Sequence, residues 1–182
     1  MTARKKMIET IVKNSIADSF EEAALEWDVV KCTTGDGECI CGQKHLQYLF
    51  TIRNRKNGTE LYPVGSECIK KFNNEHAIET AMRMQELLAI AEKLKAMQAK
   101  TKKQVPDGVG FQVFSRKLLK FMYLNDAFPA NRFNRYNGYN DYEFALGTFN
   151  GRYRNDAQRK KEYMLMKQTI GWVYDYAESL AA

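Results

Sequence analysis

The sequence contains few of the residues and motifs on which enzymes commonly rely. It has two histidines and four cysteines in 182 residues. It has no glycine-rich phosphate-binding loop, no HExxH motif and no nucleophile elbow. The acidic residues of the second half are scattered, whereas a magnesium-dependent nuclease needs them clustered. These absences argue against hydrolysis and phosphoryl transfer, and we expect a protein that works by binding and not by catalysis.

Long apolar runs and a strong charge of one sign are lacking as well. No window approaches the roughly 20 apolar residues that a membrane span needs. The stretch MTARKKMIETIVKNS has no apolar signal core, so we expect a cytoplasmic protein with no membrane partner. The formal charge of +6 comes from 28 basic and 22 acidic residues and is spread thinly. This balance permits a nucleic-acid partner without requiring one.

Apolar residues at helical spacing predict that most of the chain is helical. The expected helices span 4–17, a short segment after the capping-box pair Ser19 and Glu22, and then 75–102, 114–124, 142–149 and 156–180. Pro106-Asp107-Gly108 marks a break in the pattern. We therefore divide the chain into N-terminal helices with a hairpin unit (1–74), a long connecting helix (75–105) and a C-terminal helical domain (106–182).

One segment carries a β signal. Leu46–Asn54 and Thr59–Val64 are strand candidates, and Asn57-Gly58 between them supplies the positive φ angles of a tight hairpin turn. Pro63 cannot donate a hydrogen bond to a neighbouring strand, so it places the second strand at an edge or ends it. The predicted fold class is α+β, mainly helical, with a small β-hairpin unit of the ribbon or treble-clef-like kind.

The four cysteines lie in and around this hairpin. In a reducing cytoplasm such a set indicates metal binding before disulfides, and four thiolates complete a closed tetrahedral zinc site. Glycines in CTTGDGECICG let the backbone curl so that amide groups face the sulfurs, and the helix that begins near Ser66 favours a thiolate at its start. We predict a structural Zn²⁺ bound by Cys32, Cys39, Cys41 and Cys68.

Alternatives to this ligand set remain open. The gaps of six, one and twenty-six residues between the cysteines match no standard zinc finger. A ligand pair separated by one residue strains the chelate, so His45 is an alternative ligand in place of Cys39 or Cys41. A catalytic zinc with Glu38 or Glu67 as its base is disfavoured, because a site with four thiolates has no open position.

A second candidate region is the loop RFNRYNGYNDY with NGRYRN after it. Its arginines and tyrosines could bind nucleic acid, form a protein interface, or pack among themselves. The residues concerned are Arg132, Arg135, Arg152, Arg154, Tyr136, Tyr139 and Tyr153.

Three motifs together resemble a zinc-finger module of small proteins from Gram-positive bacteria and their phages. They are the knuckle Cys39–Gly42, the hairpin Ile52–Gly58 and the segment Val64–Phe72, which reads VGSECIKKF. EAALEW before them, with KLLKFMYLNDAF and NDYEFALGTFNGR after them, extends the resemblance over most of the chain. The chain looks like a zinc-containing anti-CRISPR protein.

The resemblance implies a structural Zn²⁺ on the four cysteines and no enzymatic activity. It implies a host CRISPR-associated nuclease complex of type II as the protein partner, in the cytoplasm of the host bacterium. The expected action is direct binding that blocks the capture or cleavage of target DNA. The alternative is a nucleic-acid-binding accessory protein that uses the finger and the Arg/Tyr-rich loop.

Overall fold

A computed structural model describes residues 2–149 and 155–181 of the chain. The described residues form seven α-helices and three strands, which confirms the α+β, mainly helical class. In chain order they are α1 (Ala3–Lys13), α2 (Phe20–Ala24), β1 (Trp27–Thr34), β2 (Tyr48–Asn54), β3 (Glu60–Val64), α3 (Ser66–Ile69), α4 (Glu75–Thr101), α5 (Arg116–Leu124), α6 (Tyr139–Phe149) and α7 (Asp156–Ala181). Short 3-10 turns lie at Lys70–Phe72, Phe111–Val113 and Arg132–Asn134.

The first two helices begin and end at polar side chains. The N–H of Glu22 donates to Ser19 Oγ over 3.3 Å, so the predicted cap of α2 is confirmed. The prediction that α1 reaches residue 17 is wrong. The Asn14 amide and the Ser15 hydroxyl donate to carbonyls of the preceding turn, and these bonds compete with continuation of the helix. Ile16 therefore lies beyond the helix end, where its side chain is exposed.

The β structure is a three-stranded antiparallel sheet in the order β1-β2-β3. Strand β1 was not predicted, and it changes the position of one cysteine: Cys32 lies in the strand opposite Phe50 and not in a loop. The missed strand contains a bulge between Val29 and Lys31, which breaks the alternation by which strands are recognised. Pro63 lies in the edge strand β3, as its missing N–H predicts.

The hairpin turn differs in detail from the expectation. Gly58 has a φ of 77°, as a left-handed turn residue should, but Asn57 does not take a positive φ. The connection spans 55–59, and its shape comes from Asn54, whose side-chain oxygen accepts hydrogen bonds from the N–H groups of Lys56 and Asn57. An Asx turn of this kind replaces the expected two-residue turn.

The chain divides into two compact units. The first unit comprises the described part of Met1–Gln85 with Leu180–Ala182, and the second comprises Glu86–Ser179. The division falls inside α4, and the three-region division at 74 and 105 stays a prediction. Side chains fully buried within the first unit include Met7, Ile11, Trp27, Phe50, Ile52, Ile69 and Phe72. Those of the second include Leu87, Leu94, Phe111, Phe114, Leu118, Leu119 and Met122.

None of the described helices has an apolar stretch sufficient to cross a bilayer.

Within the second unit, part of the predicted Arg/Tyr-rich loop is structural. The ring of Tyr142 stacks on Tyr123 with centroids 4.8 Å apart, and Tyr139 packs edge-on against Tyr123. The predicted residues Arg152, Tyr153 and Arg154 lie outside the described ranges.

Two glycines provide a matched test of the second unit. A Cβ placed on Gly138 would lie 1.9 Å from the carbonyl oxygen of Phe128, whereas one on Gly171 meets nothing within 4 Å. Gly138→Ala should therefore destabilise the unit by about 2 kcal/mol or more, because backbone must move. Gly171→Ala lies within α7 and should stabilise by about 0.5–1 kcal/mol. Urea unfolding of both variants measures this, and equal effects would contradict the close approach at Gly138.

Candidate metal centre

Three of the four predicted cysteines come together in the first unit. The sulfur atoms of Cys39, Cys41 and Cys68 lie within 4.8 Å of one another. The Cys39 and Cys68 sulfurs are 3.5 Å apart, which is far longer than a disulfide bond and close to the ~3.8 Å edge of a tetrahedron with 2.3 Å metal–sulfur bonds. All three side chains are buried, at 2%, 6% and 2% exposure. The group could therefore hold a metal ion.

The loop between β1 and β2, residues 35–47, positions two of these sulfurs and is called the cysteine loop. The N–H of Cys39 donates to the Gln43 carbonyl over 2.8 Å, and the N–H of Gly42 donates back to the Cys39 carbonyl over 2.7 Å. Gly42 has a φ of 92°, a conformation that a residue with a Cβ rarely adopts, so the closed knuckle requires glycine there. The Ile40 N–H donates to the Pro63 carbonyl over 3.0 Å and attaches the knuckle to β3.

The third sulfur comes from the short helix α3, which follows β3 directly. Gly65 precedes this helix, and its N–H donates to Cys39 Sγ over 3.2 Å. A Cβ on Gly65 would lie 3.1 Å from Leu46 Cδ2, so glycine leaves room here for the buried Leu46 side chain. Two amide groups face the Cys39 sulfur, that of Cys41 within the loop between β1 and β2 and that of Gly65 outside it.

The electrostatics of the group favour one thiolate. The hydrogen bond shared with Cys68 lowers the pKa of Cys39 to about 5, against the effect of burial and with help from the N–H groups of Cys41 and Gly65. The same bond, with burial added, raises the pKa of Cys68. Like charges in one buried place cannot all ionise unaided. A divalent cation among the sulfurs would remove that penalty and favour thiolate at every ligand.

Cys32 is the predicted ligand that the structure does not bring into the group. It is fully buried within β1, and its sulfur does not lie within 4.8 Å of all three others. Burial raises the pKa of its thiol to about 12. The assignment of Cys32 as the fourth ligand stays a prediction.

The other residues considered for the centre lie away from the sulfurs or have other partners. The His45 side chain is exposed, with its Nδ1 atom 3.3 Å from Asp36 Oδ1, and it is not in the sulfur group. The Glu67 carboxylate bonds to Lys70 Nζ over 2.6 Å, and this bond lowers the pKa of Glu67. Glu38 is exposed on the loop between β1 and β2. Neither acid belongs to the group of potential metal ligands in the described part of the chain.

Glu26 is an important residue of the first unit that the sequence did not reveal. Its carboxylate is 1% exposed and accepts hydrogen bonds from the N–H groups of Ile16 and Ala17 and from the Asn54 side chain. Lys56 Nζ lies 3.1 Å from the same carboxylate. These partners are distant in sequence and follow no motif, so only the fold could identify them.

Comparisons of this chain with protein-family models, with curated proteins and with solved structures found no match.

Proposed function

We propose that the cysteine group holds a structural Zn²⁺ ion and that the protein acts by binding and not by catalysis. Sulfur ligands suit zinc, and Cys32 is the sequence-based candidate for the fourth position. The burial of the three grouped sulfurs carries the non-enzymatic part of the proposal, because a catalytic metal must be open to substrate and a base. Zinc here would connect the cysteine loop to α3.

The proposed partner is a host CRISPR effector nuclease of type II, and the proposed action is direct binding that prevents target DNA capture or cleavage. The partner comes from the resemblance of the knuckle, hairpin and VGSECIKKF motifs to the zinc modules of phage proteins. The structure supports a binding role through exposed rings, since Phe133 and Tyr136 are 80% and 76% exposed in the second unit. Aromatic residues beside arginine are typical of interface hot spots.

A cleavage assay tests this proposal. The purified nuclease, loaded with guide RNA, is incubated with an excess of the protein before target DNA is added, and we expect co-elution of the two on gel filtration and loss of cleavage. If the protein is first incubated with the DNA instead, the inhibition should be no stronger. A restriction endonuclease acting on the same DNA serves as the control and should stay fully active. Undisturbed cleavage by the guided nuclease at large excess would contradict the proposal.

The second candidate function is that of a nucleic-acid-binding accessory protein. It is favoured by the same exposed rings, because Arg132 and Arg135 stand beside them and make no ion pair within the described residues. Such a protein binds bare nucleic acid with an affinity that falls steeply with salt. An inhibitor that acts only through the nuclease has no such affinity.

A further inference from the structure

The loop Asn131–Asn137 presents two aromatic rings to solvent. Phe133 and Tyr136 are the most exposed aromatic side chains of the described residues. Neither ring packs against another aromatic ring there, in contrast to Tyr139 and Tyr142 just after the loop. Arg132 lies over the Phe133 ring at 4.7 Å from its centroid. Two exposed aromatic rings within four residues of each other are available to stack on a partner.

The backbone that carries these rings is held rigidly. Asn131 and Asn134 form a reciprocal cap in which each side chain accepts from the other residue's N–H group. The buried Asn134 side chain also donates to the Pro129 carbonyl over 2.9 Å and accepts from the Asn137 N–H over 3.1 Å. The rings therefore project from a fixed turn and not from a loose segment.

Two consecutive residues of the turn adopt an unfavourable conformation. Arg135 and Tyr136 have φ values of 58° and 56°, in the left-handed region that residues with a Cβ seldom adopt. Glycine would fit both positions without strain. Such strain is typically retained where the side chain has a task.

A cavity of about 380 Å³ lies beside the Phe133 ring and is lined by Phe133, Asn134, Arg135, Asn140 and Lys161. Two of these lining residues, Asn134 and Lys161, bond to a buried carboxylate. Asp141 is buried and bonds to Lys161 Nζ over 2.7 Å and to Asn134 Nδ2 over 2.8 Å. Arg132 and Arg135 form no ion pair in the part of the chain described, so no carboxylate compensates these two positive charges directly.

We propose that this surface binds single-stranded nucleic acid, with bases stacked on Phe133 and Tyr136 and phosphates held by Arg132 and Arg135. The inference rests on the second candidate function and gives it a site. Exposed rings beside cations fit a strand that offers both base faces and phosphates, and a duplex hides those faces within its stack. Asn140 donates its amide to the Asn134 carbonyl, which leaves its side-chain oxygen able to accept from a base.

Fluorescence anisotropy with a labelled oligothymidine of about 12 nucleotides tests the site on the full-length protein. We expect Phe133→Ala to weaken binding about tenfold and Phe133→Tyr, which keeps a ring, to bind as the wild type. Arg135→Gly should reduce the slope of log affinity against log salt by about 0.7 and should not lower the thermal midpoint, because it relieves strain. Lys93→Ala, which removes an exposed cation from α4, is the matched control and should leave the affinity unchanged.

The outcomes separate the site from the function on which it rests. If the wild type binds no oligothymidine at about 50 mM salt, both the site and the second candidate function are wrong. If it binds but Phe133→Ala and Arg135→Gly bind equally well, nucleic acid is held elsewhere and only the site is wrong. A loss of nuclease binding in these variants, with no oligothymidine binding by the wild type, would assign the loop to a protein partner and overturn the proposal.

Discussion

The Cys68→Ser variant is expected to lose metal binding and, with it, the folded structure of the first unit. Within the cysteine loop, residues 35–47, the only buried side chains are Cys39, Cys41 and Leu46. So small an apolar set cannot offset the entropy of ordering the loop. A structural zinc site contributes on the order of 10 kcal/mol, which is comparable to the whole stability of a small domain. Chelation of the metal from the wild type should have the same effect.

Trp27 fluorescence reports on this unfolding. Trp27 is fully buried in the first unit, and its Nε1 donates to Ser15 Oγ over 2.9 Å. The chain has two tryptophans, so the measurement is made in a Trp172→Phe background. We expect Cys68→Ser to shift the emission to longer wavelength and its metal content to fall to near zero. A variant that keeps both the wild-type emission and its stability without metal would contradict a structural role for the centre.

The fourth ligand is identified by two further substitutions in the same background. If Cys32 is a ligand, Cys32→Ser should weaken the thiolate-to-metal absorption of the cobalt-substituted protein, because one of four thiolates is lost, and His45→Ala should leave it unchanged. If the cobalt spectrum changes in His45→Ala and not in Cys32→Ser, the fourth ligand is His45. An unchanged spectrum in both variants would restrict the protein ligands to the grouped cysteines Cys39, Cys41 and Cys68.

Local signals predicted the helices and the hairpin well because their causes are local. Ser19 caps α2 through a residue three positions away, and the long helix α4 begins at the expected Glu75. Pro63 indicated an edge strand because its own N–H is missing. Strand β1 was missed because its bulge shifts the pattern by one residue and because its cysteine was grouped with the loop that follows.

The candidate centre was predictable in part. Composition and the C-x-C-G knuckle predicted Cys39 and Cys41 as ligands. The hairpin explained how Cys68, 29 positions after Cys39, comes close to it. The amide of Gly65 and the placement of Cys32 on β1 depend on sheet register, which the sequence does not specify when a strand is missed. The role of the Gly65 amide as a donor to Cys39 Sγ was therefore not predicted.

The second large effect is expected at Glu26, whose removal should destabilise the first unit at neutral pH. Its carboxylate joins the segment after α1 to the hairpin, since it accepts from Ile16, Ala17 and Asn54. Glu26→Gln replaces one acceptor oxygen of the carboxylate by an NH₂ group, which cannot accept, so buried donors lose their partner. We expect the thermal midpoint at pH 7 to fall by about 10 °C. Glu60→Gln removes an exposed pair with Arg53 and serves as a control with little effect.

The pH dependence of this effect has a definite sign. Burial would raise the pKa of Glu26, but the hydrogen bonds from Ile16, Asn54, Lys56 and Ala17 outweigh it and lower the pKa from its ordinary value of 4.5 to about 2. A lowered pKa means that the stabilisation is complete above about pH 5 and is lost as the pH falls through about 2. The difference in unfolding free energy between wild type and Glu26→Gln should therefore shrink over that range, because a protonated carboxyl is also neutral. A difference that is constant from pH 7 to pH 2, or absent at pH 7, would contradict the role of this buried carboxylate.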